Sequence, residues 1–168
     1  MRRFLLVASI AACCPTEAAK PVVSTAPSKT PEVRDLATPE EQRHLKNLHQ
    51  ITFGGDNAEA YWAFGGDRLI FQTNHKPYKC DQIEMMPSNG GEAKLISTGK
   101  GRTTCSYFLK GDKEIIYAST HEVSAECPTP PDMSKGYYWG LFEYDIYKAN
   151  ADGSNLRKLT DKIGRAHV

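Results

Sequence analysis

The side chains with the most evident chemical potential are the cysteines Cys13, Cys14, Cys80, Cys105 and Cys127 and the histidines His75 and His121. His75 and His121 lie 46 residues apart, each just after an apolar segment. With Cys80, Cys105 and Cys127 they could supply a mixed nitrogen and sulfur ligand set. No pair among them has the close spacing of a zinc finger or ribbon, so no metal is assigned. Loop histidines that cap backbone groups are the preferred reading. In an exported chain, two of the three downstream thiols should pair and one should remain odd. A bond from Cys105 to Cys127 or to Cys80 is preferred over one through Cys13 or Cys14.

No catalytic constellation is present in the sequence. It holds no Gly-x-Ser-x-Gly elbow, no His-Glu-x-x-His and no phosphate-cradling glycine loop. Glu143 and Asp145 are separated by one residue near a strand start, which does not suggest an acid/base pair. No cofactor is expected. A binding surface is a stronger candidate: Tyr137, Tyr138, Trp139, Phe142 and Tyr144 place five aromatic residues in eight positions. Aromatic residues are over-represented in binding hot spots, yet a long loop also needs an apolar anchor, and both readings stand. Lys100-Gly101-Arg102 could meet an anion but is read as a solvated turn.

The frame for these residues is about one domain, since the chain has 168 residues. Hydrophobic residues make up 40% and charged residues 24%, an ordinary globular balance. The formal charge is +1; without Arg2 and Arg3 it becomes 19 basic against 20 acidic residues. That leaves no electrostatic footprint for nucleic acid. No apolar run approaches the roughly 18–20 residues of a membrane span.

Met1-Arg2-Arg3 before the apolar run Phe4–Ala12 reads as a signal peptide over residues 1–12. Ile10-Ala11-Ala12-Cys13 matches the bacterial lipobox, which predicts a diacylglycerol thioether on Cys13 and a lipid-anchored protein of the periplasm or cell envelope. A soluble exported protein is the alternative. Residues 13–37, with Pro15, Pro21, Pro27 and Pro31, read as a tether too poor in apolar surface to fold. Thr38-Pro39-Glu40-Glu41 predicts a helix start with Thr38 as cap, running to about Asn47. A leading strand at Gln50–Phe53 completes the 38–53 segment.

The remainder repeats. Tyr61–Phe71 aligns with Tyr107–Tyr117 at an offset of 46, each an aromatic strand, a Gly/Asp turn and an apolar strand. A second hairpin, Ile83–Ser97, aligns with Ile146–Thr160 at an offset of 63. The second copy has therefore gained 17 residues, placed in a loop at 120–143 around Pro128, Pro130 and Pro131. Four antiparallel strands per unit at this period predict an all-β fold of propeller blades, one at 54–98 and one at 99–161. Strand alternation brings His75, His121 and the three downstream cysteines to one rim and assigns Trp62 to the core between blades.

On Tyr144-Asp145-Ile146-Tyr147-Lys148-Ala149-Asn150-Ala151-Asp152-Gly153-Ser154 with Leu159-Thr160, and on Ile51-Thr52-Phe53 before Ala60-Tyr61-Trp62, the chain resembles the TolB-like propeller family. The usual Pro-Asp-Gly of the first hairpin turn is replaced by Phe64-Gly65-Gly66-Asp67 and Lys110-Gly111-Asp112-Lys113. The resemblance implies a non-catalytic envelope scaffold with a protein partner or other ligand on its rim. A related possibility is the propeller half of a prolyl-oligopeptidase-type serine hydrolase. Two blades cannot close a ring that needs roughly 180–360 residues for 4–8 blades. Residues 162–168 depart from the repeat and read as a non-native or truncated end, Ile163–Val168 resembling a translated sequencing adapter.

Overall fold

The structure, a computed structural model, describes residues 35–161 apart from Trp139. The expectations for residues 1–34, including lipidation of Cys13, and for 162–168 lie outside the described residues.

Local hairpins build the fold. Strands β1 (Asn57–Trp62), β2 (Arg68–Thr73), β3 (Gln82–Pro87) and β4 (Lys94–Leu95) form one antiparallel sheet in chain order. Strands β5 (Thr103–Phe108), β6 (Glu114–Ser119), β7 (Asp145–Asn150) and β8 (Arg157–Lys158) form a second. The result is all-β: two four-stranded meanders, the unit of a propeller blade. The offsets seen in the sequence reappear in the ladders. Asn57 pairs with Thr73 and Thr103 with Ser119, 46 residues on at both ends. Both turns also close alike: Ala63 N–H donates to Arg68 O, and Leu109 N–H to Glu114 O.

The two sheets pack face to face. Ile70, Ile83 and Met85 of the first blade meet Phe108, Ile115, Tyr117, Tyr147 and Ala149 of the second in one buried cluster. Alternation along the strands makes this possible, since residues two apart share a face. Polar latches align the junction. The Asp112 carboxylate accepts from the Phe64 and Gly65 amides at 2.8 and 2.7 Å, and Arg68 Nη2 donates to the Asp112 carbonyl at 3.1 Å. The Arg68 guanidinium also lies 5.4 Å from the Phe108 ring centroid.

Three local expectations are corrected. The Thr38–Glu41 capping box does form: Thr38 N–H donates to Glu41 Oε2, and Glu41 N–H to Thr38 Oγ1. It starts only a single 3-10 turn, Glu41–Arg43, in place of a helix to Asn47. No residue of that turn is buried, and propensity alone rarely sustains so short a helix in water. Gln50–Phe53 is not a strand, because no described strand offers it a ladder. Instead Ile51 packs on Leu69, Phe71 and Met86, covering part of the first blade's other face. Trp62 lies on that side, 58% exposed, while its repeat mate Phe108 is 1% exposed in the inter-blade core. A strand has two faces, and only one blade here has its β1-type aromatic turned towards a neighbour.

Candidate ligand site at the blade junction

The 17 additional residues decide what the rim looks like. The β2–β3 connection of the first blade spans 74–81, whereas the β6–β7 connection runs from 120 to 144. This long loop is fastened at several points. Cys127 within it forms a disulfide with Cys80 of the first blade, across 47 residues of sequence. Its Ala125 carbonyl accepts from Gly101 N–H at 2.8 Å. Arg102, in the linker between blades, lies 5.4 Å from the centroid of the Phe142 ring.

The expected thiol pairing is thereby corrected. Cys80 and Cys127 are bonded, and Cys105 is an exposed free thiol. Cys105 sits inside β5 at a bulge with φ +50°. The bulge adds a residue to one strand and re-aims its neighbours. Its amide donates to Oε1 of the Gln72 side chain at 3.3 Å.

Arg102 is not a solvated turn residue. Its Nε and Nη2 donate to Oδ2 of Asp81 at 2.8 and 2.6 Å, and Asp81 is 7% exposed. This ion pair, with Gln72 and Thr104, floors a cavity of about 390 Å³ under the loop. Tyr137, Tyr138, Phe142 and Tyr144 wall it with Pro130 and Pro131. Burial raises the Tyr144 hydroxyl above its ordinary pKa, so it stays a neutral phenol at physiological pH. A second hollow, also about 390 Å³, shares Asp81, Arg102 and Pro130 and continues past Lys79 and the disulfide. The size lies within the roughly 300–1,000 Å³ range of small-molecule sites. Of the predicted aromatic cluster, Tyr137, Tyr138 and Phe142 are brought to this cavity; Trp139 lies outside the described residues.

The two histidines do not converge on the cavity. His75 Nε2 faces both oxygens of the buried Glu84 at 3.0 and 3.1 Å, and its Nδ1 lies 2.7 Å from the Lys76 carbonyl. Both acceptors call for a ring N–H, which favours the imidazolium. The Lys76 carbonyl first, and Glu84 with it, raises the His75 pKa against the opposing effect of burial. Tyr78 also donates to Glu84, at 2.7 Å, and its pKa is pushed up to about 12 by burial and that carboxylate. His121 instead lies 4.4 Å from the Tyr147 ring centroid, with Nδ1 2.8 Å from Ser119 Oγ. Burial lowers its pKa. Among the described residues no group of three His, Cys, Asp or Glu side chains is arranged to hold a metal ion.

A larger groove of about 930 Å³ opens between β2–β4 of the first blade and the β5–β6 and β7–β8 turns of the second. Arg68, Met85 and Ile96 face Lys113, Asn150 and Ala151 there. Blades diverge outwards from a ring axis, and the outer strands β4 and β8 have only two residues each.

Two repeated, face-packed meanders define the chain as propeller blades. The fold is similar to the solved structure of a putative TolB from Agrobacterium tumefaciens, with a TM-score of 0.53 and 15% identity over 71% of this chain. The aligned part covers 39% of that chain, so this sequence spans well under half of the neighbour's length. No family model matches the chain, and neither does any curated protein. At this identity the likeness concerns the fold, a TolB-like propeller. The pairing of Asp81 with Arg102 went unrecognised in the sequence because they are 21 residues apart in different loops. No spacing rule joins them; only the packing of one blade's exit on the next blade's entrance does.

Proposed function

We propose that this chain is part of a non-catalytic, TolB-like scaffold of the bacterial cell envelope, lipid-anchored through Cys13, that holds a protein or other ligand at the rim formed by the β6–β7 loop. The observation that carries the reading is the stapled loop itself. A 17-residue insertion relative to the first blade is fixed by a disulfide and roofs a cavity with exposed Tyr137 and Tyr138 at its mouth. Tyrosine supplies contact area and a polar tip at low entropic cost, as binding surfaces use it. The Cys80–Cys127 bond supports an oxidising compartment, which agrees with export.

The experiment expresses the full chain in a bacterial envelope with a photo-cross-linking residue in place of Tyr138, and separately in place of Lys110 at the opposite end of the blade. Adducts specific to the Tyr138 position are expected. Equal labelling at both positions would remove the rim reading. Labelled palmitate should mark the wild type and not Cys13→Ser; equal incorporation would remove the anchor.

A further inference from the structure

We infer that the cavity beneath the β6–β7 loop takes an uncharged carbohydrate, its ring against the tyrosine and phenylalanine walls and its hydroxyls at Arg102, Asp81 and Gln72. This deepens the scaffold reading and rests on it for the rim's being a ligand site.

Charge and hydrogen-bonding capacity select the ligand class. Asp81 and Arg102 are the charged side chains lining the cavity, and they neutralise one another. An ionic ligand would lose hydration and find each charge already compensated. A wholly apolar ligand would strand polar groups, which is costly once water is excluded. The open groups are specific. Both Arg102 contacts fall on Oδ2 of Asp81, so Oδ1 remains an acceptor and Nη1 a donor. The Gln72 carbonyl oxygen is taken by Thr104 Oγ1 at 2.9 Å and by the Cys105 amide, so its NH₂ is the free end. The floor therefore presents donors and an acceptor side by side, without net charge.

A hydroxyl donates and accepts at once, so adjacent hydroxyls can satisfy an Arg–Asp edge in a way a lone carbonyl cannot. A sugar ring also carries a face of C–H groups suited to flat aromatic walls. Here Phe142 is held beneath the Arg102 guanidinium and against Tyr144 at 6.2 Å, which fixes part of the wall before any ligand arrives.

The test titrates the full chain with three neutral trisaccharides, triacetylchitotriose, cellotriose and maltotriose, by calorimetry, and repeats the titration with a proline-rich decapeptide. Saturable binding of at least one trisaccharide is expected, with little dependence on salt. Tyr138→Ala and Gln72→Leu should each weaken it by about tenfold, and Lys110→Ala should not. Tyr138 is exposed, so its variant keeps the test meaningful if the Gln72 change disturbs folding. The inference is overturned if none of the sugars saturates, if affinity collapses with added salt, or if only the peptide binds. A peptide-only result, or Tyr138 photo-adducts without sugar binding, leaves the scaffold reading standing. Failure of both sugar binding and rim cross-linking overturns both.

Discussion

Glu59 in the first blade and Cys105 in the second occupy one structural position with one backbone conformation, φ +50° in each. Around them the blades agree in register, in turn closure and in the bulge between the first two strands. They diverge at the rim, where one blade has a short link and a His75–Glu84–Tyr78 network around the buried Glu84. The other has a long stapled loop, a cavity and a histidine packed on Tyr147. The backbone of a repeat is thus fixed by local hairpin chemistry, while its rim loops are free to diverge. That freedom is where a scaffold acquires a site.

The largest effect should come from the device that joins the unlike rims. Cys80→Ser opens a loop of 47 residues, and the chain-entropy treatment gives a loss of about 4 kcal/mol. Denaturant unfolding should show this fall, with Cys105→Ser close to neutral because its thiol is exposed and outside the disulfide. A loss below about 1 kcal/mol would mean that the Arg102–Phe142 and Gly101–Ala125 contacts hold the loop without help, a smaller role than the disulfide's usual one.

Next is a matched pair. Gly55 and Gly101 lie 46 residues apart with φ near +62° and +61°. A Cβ at either would come within 2.5 to 2.8 Å of the backbone of His75 or His121. Gly55→Ala and Gly101→Ala should each cost about 1–3 kcal/mol. Gly101 should be the costlier, since its carbonyl accepts from Gln82 Nε2 at 2.8 Å and its amide holds the long loop. A greater loss at Gly55 would reverse the ranking of the two blade entrances.

How much of this the sequence carries depends on the range of the interaction. The 46-residue offset was legible because hairpins are local: Tyr61 and Tyr107, Gly65 and Gly111, Ile70 and Ile116 repeat in type as well as place. The bulge was not, because Glu59 and Cys105 adopt positive φ without the glycine that usually announces it. The aromatic residues of the cavity were visible as a cluster, but its polar floor was not. Arg102 and Asp81 meet only when two sheets stack, and nothing within either loop encodes that. Trp62 was misplaced for the same reason, since alternation gives two faces and does not say which one is covered.

A smaller effect tests the junction from its other end. Asp112 accepts two amides from the first blade's turn, whereas its repeat counterpart is Gly66, which has no side chain to offer. Asp112→Ala should lower stability by about 1 kcal/mol, modest because the bonds are exposed to water. No change would leave the apolar cluster as the junction's main determinant.

The smallest effect concerns the paired histidines, and its sign separates the blades. The folded pKa of His75 is raised above 6.5, so its stabilising contribution is complete below that value and disappears as pH rises through the raised pKa. The folded pKa of His121 is lowered by burial, so its contribution is present above 6.5 and is lost as pH falls through the lowered pKa. His75→Gln should therefore flatten the loss of stability on the alkaline side of neutrality, and His121→Gln the loss on the acid side. Urea midpoints measured between pH 5 and 8 for both variants would show slopes changed in opposite directions. If both variants changed the profile alike, the Glu84 carboxylate and the Tyr147 ring would not distinguish the two sites. The divergence of the blades would then be confined to the stapled loop.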